Sequence, residues 1–277
     1  MDFRTIVNIE KPPFLIEPLE ELLFVGSCFA DSIGRRFAEE HFPVTVNPYG
    51  VMYNPASVLH TVHRWLDSLE EGKAPRITFL TLGTNHVYRL RETSEIVDNC
   101  QKRPQHLFQE EELPVEECAD YLAKAVDALT GCRADAQVVV TVSPIRYAKY
   151  GYHGSQLSKA TLLLAADELC RRYPCASYFP AYEIVNDELR DYRFYQPDML
   201  HPSQQTVEYI WERLSEVYLS QRAKQFVKDW QPIKAAFGHK PFHPDSDDYR
   251  QFLAQVKEKG LPPATYLFPH PWATMRR

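Results

Sequence analysis

Four apolar residues, Leu22-Leu23-Phe24-Val25, run straight into Gly26-Ser27, and beyond that point the period of the apolar positions changes. A short unbroken apolar run closed by glycine predicts a buried strand and a sharp turn. Phe29, Ile33 and Phe37 then recur every fourth residue, with Asp31, Arg35, Arg36 and Glu39 between them. That spacing is one face of an amphipathic helix opening at Ser27 and running to about His41.

The two periods alternate along the rest of the chain. Val44 and Val46 predict a short strand, and Asn47-Pro48-Tyr49-Gly50 a turn. Asn54-Pro55 is a capping asparagine followed by proline at the first helical position, and Val58, Val62, Trp65 and Leu66 carry that helix to about Leu69. Residues 77–82 are apolar and β-branched and predict a strand ending at Gly83. Residues 83–115 predict a hairpin with arms at 87–91 and 95–97, then a loop. Tyr121, Leu122, Ala125 and Leu129 place a helix over 114–130, with Glu116 and Glu117 in its first turn, where the helix dipole favours negative charge. The valine run of 137–142 predicts a parallel strand covered on both faces. Leu157, Leu162, Leu163, Leu164 and Leu169 give a helix over 155–173, and 176–179 a last strand. A polar, tyrosine-rich stretch follows, then a helix from near Pro202 bearing Val207, Ile210, Trp211, Leu214 and Tyr218.

Five strands alternating with helices predict an α/β fold, a three-layer sandwich with a mainly parallel five-stranded sheet. Residues 1–21 read as an irregular leading arm of a domain spanning 1–221. Over 222–277 lysine, proline and aromatic residues dominate; this part reads as a C-terminal extension packing on the same domain, with one further helix near 249–257. In open parallel sheets, functional side chains lie on loops at the carboxyl ends of strands. Here those loops begin at Gly26-Ser27, 47–50, 83–85, 143–146 and 180–201.

Composition narrows the function classes. The chain has 277 residues, 44% of them hydrophobic and 25% charged, with a net charge of −6, so it offers nucleic acid no basic field. No apolar run approaches the roughly 20 residues of a membrane-spanning helix, and no membrane partner is expected. The first ten residues lack the basic and apolar regions of a secretory signal, which points to the cytoplasm if this N-terminus is native. Six cysteines, at 28, 100, 118, 132, 170 and 175, match no zinc spacing and are expected as reduced thiols. His60 and His63 show no carboxylate partner in sequence, and His239 and His243 are separated by Pro241; both pairs read as structural, and no metal is expected. Neither G-x-G-x-x-G nor a P-loop occurs, so no organic cofactor is expected. Oligomeric state is left open by these features.

Candidate chemistry sits at the strand ends. Ser27 falls at a helix N-terminus, where unpaired N–H groups and the dipole favour the negative charge of an oxyanion. The plainer reading of a serine there is an N-cap. Asp198-Met199-Leu200-His201 directly precedes Pro202-Ser203 and a helix. An Asp and a His three apart at a helix entry can face one point, the imidazole taking a proton from Ser27 and the carboxylate fixing its tautomer. Alone, such a pair is commonly a turn aspartate and a surface histidine. Cys28 is either a small buried apolar residue under the serine or, as a thiol at a helix N-terminus, itself the nucleophile of a Cys–His pairing.

Gly26-Ser27-Cys28-Phe29-Ala30, Asn47-Pro48-Tyr49-Gly50, Tyr53-Asn54-Pro55, Thr81-Leu82-Gly83-Thr84, Ser143-Pro144-Ile145-Arg146-Tyr147, the stretch from Asp198 to Ser203 and His239-Lys240-Pro241-Phe242 together resemble the blocks of the GSCFA family. That family is related to the SGNH (GDSL-type) hydrolases. The resemblance implies an SGNH-like fold with Ser27 as nucleophile, standing where those enzymes have the serine of Gly-Asp-Ser, and with Asp198 and His201 completing a catalytic triad. It implies an oxyanion hole from the N–H groups of Ser27 and Gly50 and the side-chain amide of Asn85. Three departures stand out: glycine directly precedes Ser27, Cys28 follows it, and His86 follows Asn85 where an aspartate is common. Asn99 is the alternative amide. Tyr53, Arg89, Arg146 and Tyr147, at predicted loop tips, are candidate substrate contacts. The expected function is a serine esterase acting on a small-molecule or carbohydrate ester, an O-acetyl group on a sugar being the leading case, through an acyl-enzyme. An O-acyltransferase with the same triad and a binding or scaffold protein without turnover are the alternatives.

Overall fold

The computed structural model describes residues 3–100 and 102–238. The expected helix near 249–257 and the His239/His243 pair lie outside the described residues. Five strands, β1 (Leu22–Gly26), β2 (Val44–Val46), β3 (Ile77–Leu82), β7 (Gln137–Val142) and β8 (Ala176–Tyr178), form one parallel sheet in the order β2-β1-β3-β7-β8. All five occupy the segments their apolar runs predict.

The pleat of these strands divides the interior in two. Leu22, Phe24, Ile77, Phe79 and Val139 turn to one face and pack with Phe29, Ile33 and Phe37 of α1 (Cys28–Glu39) and with Val207, Ile210, Trp211 and Leu214 of α6 (Gln204–Tyr218). Phe24 and Phe79, partners in register, stack at 4.6 Å. Leu23, Val25, Leu80, Leu82, Val138, Val140 and Val142 turn to the other face. They meet α2 (Pro55–Asp67), α3 (Val115–Cys132) and α4 (Gly151–Arg172). This is the three-layer sandwich predicted from the alternation of strands and helices.

Between β3 and α3 the chain forms a small antiparallel sheet, β5 (Ile96–Val97), β4 (His86–Leu90) and β6 (Phe108–Glu112), with β4 in the middle. The hairpin arms are as expected, but β6 falls in the segment read as loop. Its Phe-Gln-Glu-Glu-Glu sequence carries no apolar alternation, because only Phe108 is buried. The strand is held by its ladder to β4 and by ion pairs from Glu111 to Arg89 at 2.6 Å and from Glu110 to Lys149 at 2.6 Å. The tyrosine-rich stretch before α6 forms one helical turn, α5 (Ala181–Glu183), which widens into a π-helical segment, Ile184–Leu189, and ends at Arg190 with φ +44°.

The last described helix, α7 (Gln221–Gly238), lies against the C-terminal end of α1. Glu40, fully buried, receives Arg36, Lys234 at 2.9 Å and Gln231 at 2.6 Å. Arg36 also grips Glu208 with two hydrogen bonds, at 2.8 and 2.7 Å. A buried carboxylate is tolerated only when compensated by donors on this scale. Helix α7 is therefore fastened to the end of α1 by charge as well as by the stacking of Trp230 on His41 at 4.4 Å. Among the described residues no helix is long and apolar enough to cross a membrane.

One close approach fixes the carboxyl edge of the sheet. Gly26 lies opposite Thr81 with φ +141°, and a Cβ on it would stand 2.0 Å from the Thr81 carbonyl oxygen. Gly26→Ala is expected to destabilise the protein by about 3 kcal/mol or more, combining backbone strain with overpacking. Urea unfolding followed by circular dichroism measures it, and a midpoint equal to the parent's contradicts the assignment.

Candidate active site at the carboxyl edge of the sheet

The turn from β1 into α1 is clamped on several sides. The Gly26 N–H donates to Asn47 Oδ1 at 2.8 Å, and the Met52 N–H donates to the Gly26 carbonyl at 2.8 Å. Asn47, held at φ +41° in the turn after β2, also donates through Nδ2 to Asp31 at 2.7 Å. The Ser27 N–H donates to the Thr81 carbonyl at 3.0 Å, and its hydroxyl pairs with the Thr81 hydroxyl at 3.1 Å while accepting the Phe29 N–H at 3.3 Å. Ser27 is 0% exposed and is the N-cap of α1. The next residue, Cys28, opens the helix and is only partly buried.

Cys28 has polar company. Burial pushes its thiol up to about 11, with Asp31 adding to the rise and the Lys159 charge opposing it. Lys159, on α4, is 2% exposed; its Nζ donates to the carbonyls of Gly83 and Ser143, each at 2.7 Å, and so ties the carboxyl ends of β3 and β7 together. Burial pulls this ammonium down to about 7. Tyr147, on the loop after β7, meets Tyr53 edge to face at 5.9 Å. Its hydroxyl is buried without a hydrogen-bond partner, and burial, Tyr53 and Cys28 all disfavour its ionisation. Gly83 is where these groups converge. A Cβ there would stand 2.9 Å from Tyr147 Oη and 3.1 Å from the Tyr53 ring. Lys159 was missed in the sequence although a signal exists: Lys159, Leu162, Ala166 and Leu169 share one buried stripe of α4, so a lysine stands at a core position.

Asp198 and His201 form the expected pair. Asp198 Oδ1 accepts the N–H groups of Leu200 at 2.8 Å and His201 at 3.0 Å, and Oδ2 meets His201 Nδ1 at 2.6 Å. These two N–H groups, and then the imidazole, hold the carboxyl down at about 2. Each side chain is 42% exposed. The loop is attached to the end of β7, since the Arg146 N–H donates to the Leu200 carbonyl at 3.0 Å and its guanidinium to the Met199 carbonyl at 3.0 Å. His201 is not among the hydrogen-bond partners of Ser27.

The expected oxyanion donors are spent elsewhere. The Gly50 N–H closes its own turn on the Asn47 carbonyl at 2.8 Å. The Asn85 amide donates to the Leu113 carbonyl at 2.8 Å and its N–H to Ser158 Oγ at 3.0 Å, because α4 and the strand leading to α3 enclose it. Asn99 is exposed beyond β5. Of the candidate substrate contacts, Tyr53 and Tyr147 pack on each other, and a charge on Cys28 disfavours the ionisation of both. Arg146 lies over the rings of Tyr152, Tyr192 and Tyr195, at 4.2, 5.5 and 5.5 Å. Arg89 is committed to Glu111 and the Ser94 carbonyl, and lines a surface cleft with His60, Ile96 and Tyr121. His86 is stacked on Tyr150 at 3.6 Å, and burial lowers its affinity for a proton. His60 does have a carboxylate partner, Asp98 at 2.8 Å, which raises its affinity for a proton. Among the described residues no group of three or more His, Cys, Asp or Glu side chains could hold a metal ion.

Fold and site define an α/β sandwich that presents a clamped strand–helix turn and an Asp–His pair at the same edge of its sheet. The chain belongs to the GSCFA family: the family profile matches residues 21–74 and 70–214, and the profile of the GSCFA C-terminal domain matches 230–259. Comparison with curated proteins gives no match. Among solved structures, it is similar to a member of the lipolytic protein G-D-S-L family from Veillonella parvula, at 13% identity and a TM-score of 0.49, covering 72% of this chain and 98% of that one. It is similar also to TesA, at 16% identity and a TM-score of 0.44, covering 72% and 97%. A third is a carbohydrate esterase of family 3 from Talaromyces cellulolyticus, at 10% identity and a TM-score of 0.43, covering 76% and 99%.

Two substitutions separate structural from chemical roles here. Ser27→Ala removes a cap and is expected to cost about 1 kcal/mol in urea unfolding, with the fold retained; no loss would show that the cap is idle. Lys159→Met tests the buried ammonium through pH. Because the folded value near 7 lies below the unfolded 10.5, the unfolded chain binds the extra proton between the two. The parent is therefore expected to gain stability relative to Lys159→Met as pH rises from about 7 towards 10, and to lose that gain on return to 7. A pH-independent difference between the two proteins contradicts it.

Proposed function

We propose that this protein hydrolyses a small acyl ester through an acyl-enzyme formed at the β1–α1 turn, with His201 as general base and acid. The observation that carries this reading is the Asp198–His201 pair at 2.6 Å. It commits Nδ1 to a carboxylate and leaves proton exchange to Nε2, and the carboxylate stabilises the imidazolium that forms. A carboxyl held at about 2 is ionised throughout the range in which esters are hydrolysed enzymatically.

The attacking group comes from a turn that carries Ser27 and Cys28 side by side. His201 takes the proton of the attacking group, then delivers it to the departing alkoxide, and the alcohol leaves. Water attacks the acyl-enzyme next, giving its proton to the same nitrogen; the bond to the enzyme breaks, His201 returns the proton to the freed nucleophile, and the carboxylic acid departs. Negative charge developing on the ester oxygen is favoured at the α1 N-terminus, whose dipole points its positive end at this turn. An O-acetyl group on a carbohydrate suits the surroundings: the rings of Tyr53, Tyr152 and Tyr192 are exposed, and each offers an apolar face with a polar tip to a sugar.

The test is turnover of 4-nitrophenyl acetate. His201→Ala is expected to lower kcat/KM by about 10²–10⁴-fold, the usual worth of a general base. Asp198→Ala should lose less, since it acts only through the imidazole. A His201→Ala protein as active as the parent would overturn the reading.

A further inference from the structure

We infer that the nucleophile of this site is the Cys28 thiol rather than the Ser27 hydroxyl, and that the acyl-enzyme is a thioester. The inference rests on the ester-hydrolase reading above. Ser27 is enclosed in this structure: it is fully buried, its hydroxyl meets the Thr81 hydroxyl and the Phe29 N–H, and its own N–H is bound to the Thr81 carbonyl. An attacking hydroxyl would have to abandon the cap of α1 and emerge from beneath the turn. Cys28, one residue on, is the first residue of the helix and is open to solvent in part.

Independent features mark the same edge of the sheet. The Tyr147 hydroxyl is buried and lacks any partner, a state that costs free energy unless something in a complex satisfies it. It stands against Gly83, where the absence of a side chain leaves room for it beside Tyr53. The Lys159 ammonium has three N–H groups and only two carbonyl acceptors, and its charge acts on Cys28. The partly exposed thiol thus shares the carboxyl edge of the sheet with a buried unpartnered hydroxyl and a buried lysine.

The chemistry balances. Sulfur attacks the acyl carbon as the thiol proton passes to His201 Nε2, and the C–S bond forms. The C–O bond to the alcohol breaks, its oxygen taking the proton from His201. Water, deprotonated by the same nitrogen, attacks the thioester; the carboxylic acid leaves and the thiol regains its proton. Lys159 is a positioning residue here, holding the ends of β3 and β7, and its charge favours negative charge on the sulfur as the thiol proton leaves. Burial keeps Cys28 a thiol before substrate arrives, so the base is needed at the moment of attack.

The full chain is incubated with 4-nitrophenyl acetate, quenched in acid during turnover and mapped by peptide mass. Expected is an acetyl adduct on Cys28 that hydroxylamine removes at neutral pH, with none on the exposed Cys132, which separates enzymic acylation from plain thiol chemistry. Cys28→Ala is expected to lose at least about 100-fold in turnover and the adduct with it, Cys28→Ser to keep measurable turnover through an oxygen ester, and Ser27→Ala to keep the Cys28 adduct. An adduct on Ser27, or full turnover in Cys28→Ala, overturns the thiol and leaves ester hydrolysis standing. A folded parent with neither turnover nor adduct on acetyl and butyryl esters overturns the hydrolase reading, and the thiol's role with it.

Discussion

The carboxyl edge of this protein depends on one close approach, the backbone of Gly26 laid against Thr81. No side chain fits between them: a Cβ on Gly26 would come 2.0 Å from the Thr81 oxygen. Because the contact is made without a side chain, β1 can stop there and turn at once. The Ser27 N–H then bonds the Thr81 carbonyl, its hydroxyl bonds the Thr81 hydroxyl, and α1 starts on that anchor. Asn47 and Met52 seize the remaining donor and acceptor of Gly26. The rigidity of a candidate active site thus comes from backbone accounting, with each buried N–H and C=O of the turn given a partner.

A second constraint follows from the sheet's apolar build. Strands this rich in valine, leucine and phenylalanine end abruptly at a polar layer, Ser27, Thr81, Thr141 and Ser143, all of it buried. Carbonyls at the ends of β3 and β7 would face one another with few donors, and Lys159 supplies two. Burying an ammonium is expensive, and its fall to about 7 expresses that expense. As a neutral amine the side chain still donates two hydrogen bonds, the number the two carbonyls require. The lysine therefore remains a strut whether or not it carries charge, while its field on Cys28 exists only when it does.

Much of the fold was legible because the apolar periods are clean: the five parallel strands and their helices follow from Leu22 to Val25, from the valines of β7 and from stripes such as Val207–Ile210–Leu214. β6 was not, because Phe108 is its one buried residue and ladder bonds with ion pairs do the work that apolar alternation does elsewhere. In the site, the Asp198–His201 pair was legible as a three-residue spacing at a helix entry. The oxyanion donors were not, because a glycine or asparagine at a strand end does not announce which way its N–H points. Gly50 turns it into its own turn and Asn85 into the Leu113 carbonyl. Counted from the glycine, Gly26-Ser27-Cys28 also admits a register that sets Cys28 on the serine of Gly-Asp-Ser and Ser27 on its acid.

Capping geometry explains why two adjacent nucleophilic residues have opposite fates. An N-cap side chain must fold back over the first turn to reach the N–H groups of the second or third helical residue. At the end of a central strand, that direction is also into the protein, and Thr81 is waiting there. The residue after the cap has helical backbone angles and no such duty, so its side chain is free to lean outward from the N-terminus. Ser27 and Cys28 are in this sense a division of labour imposed by a strand that ends in a helix. The first residue closes the turn, and the second, partly exposed and packed at the margin of the core, stands where the positive end of α1 emerges.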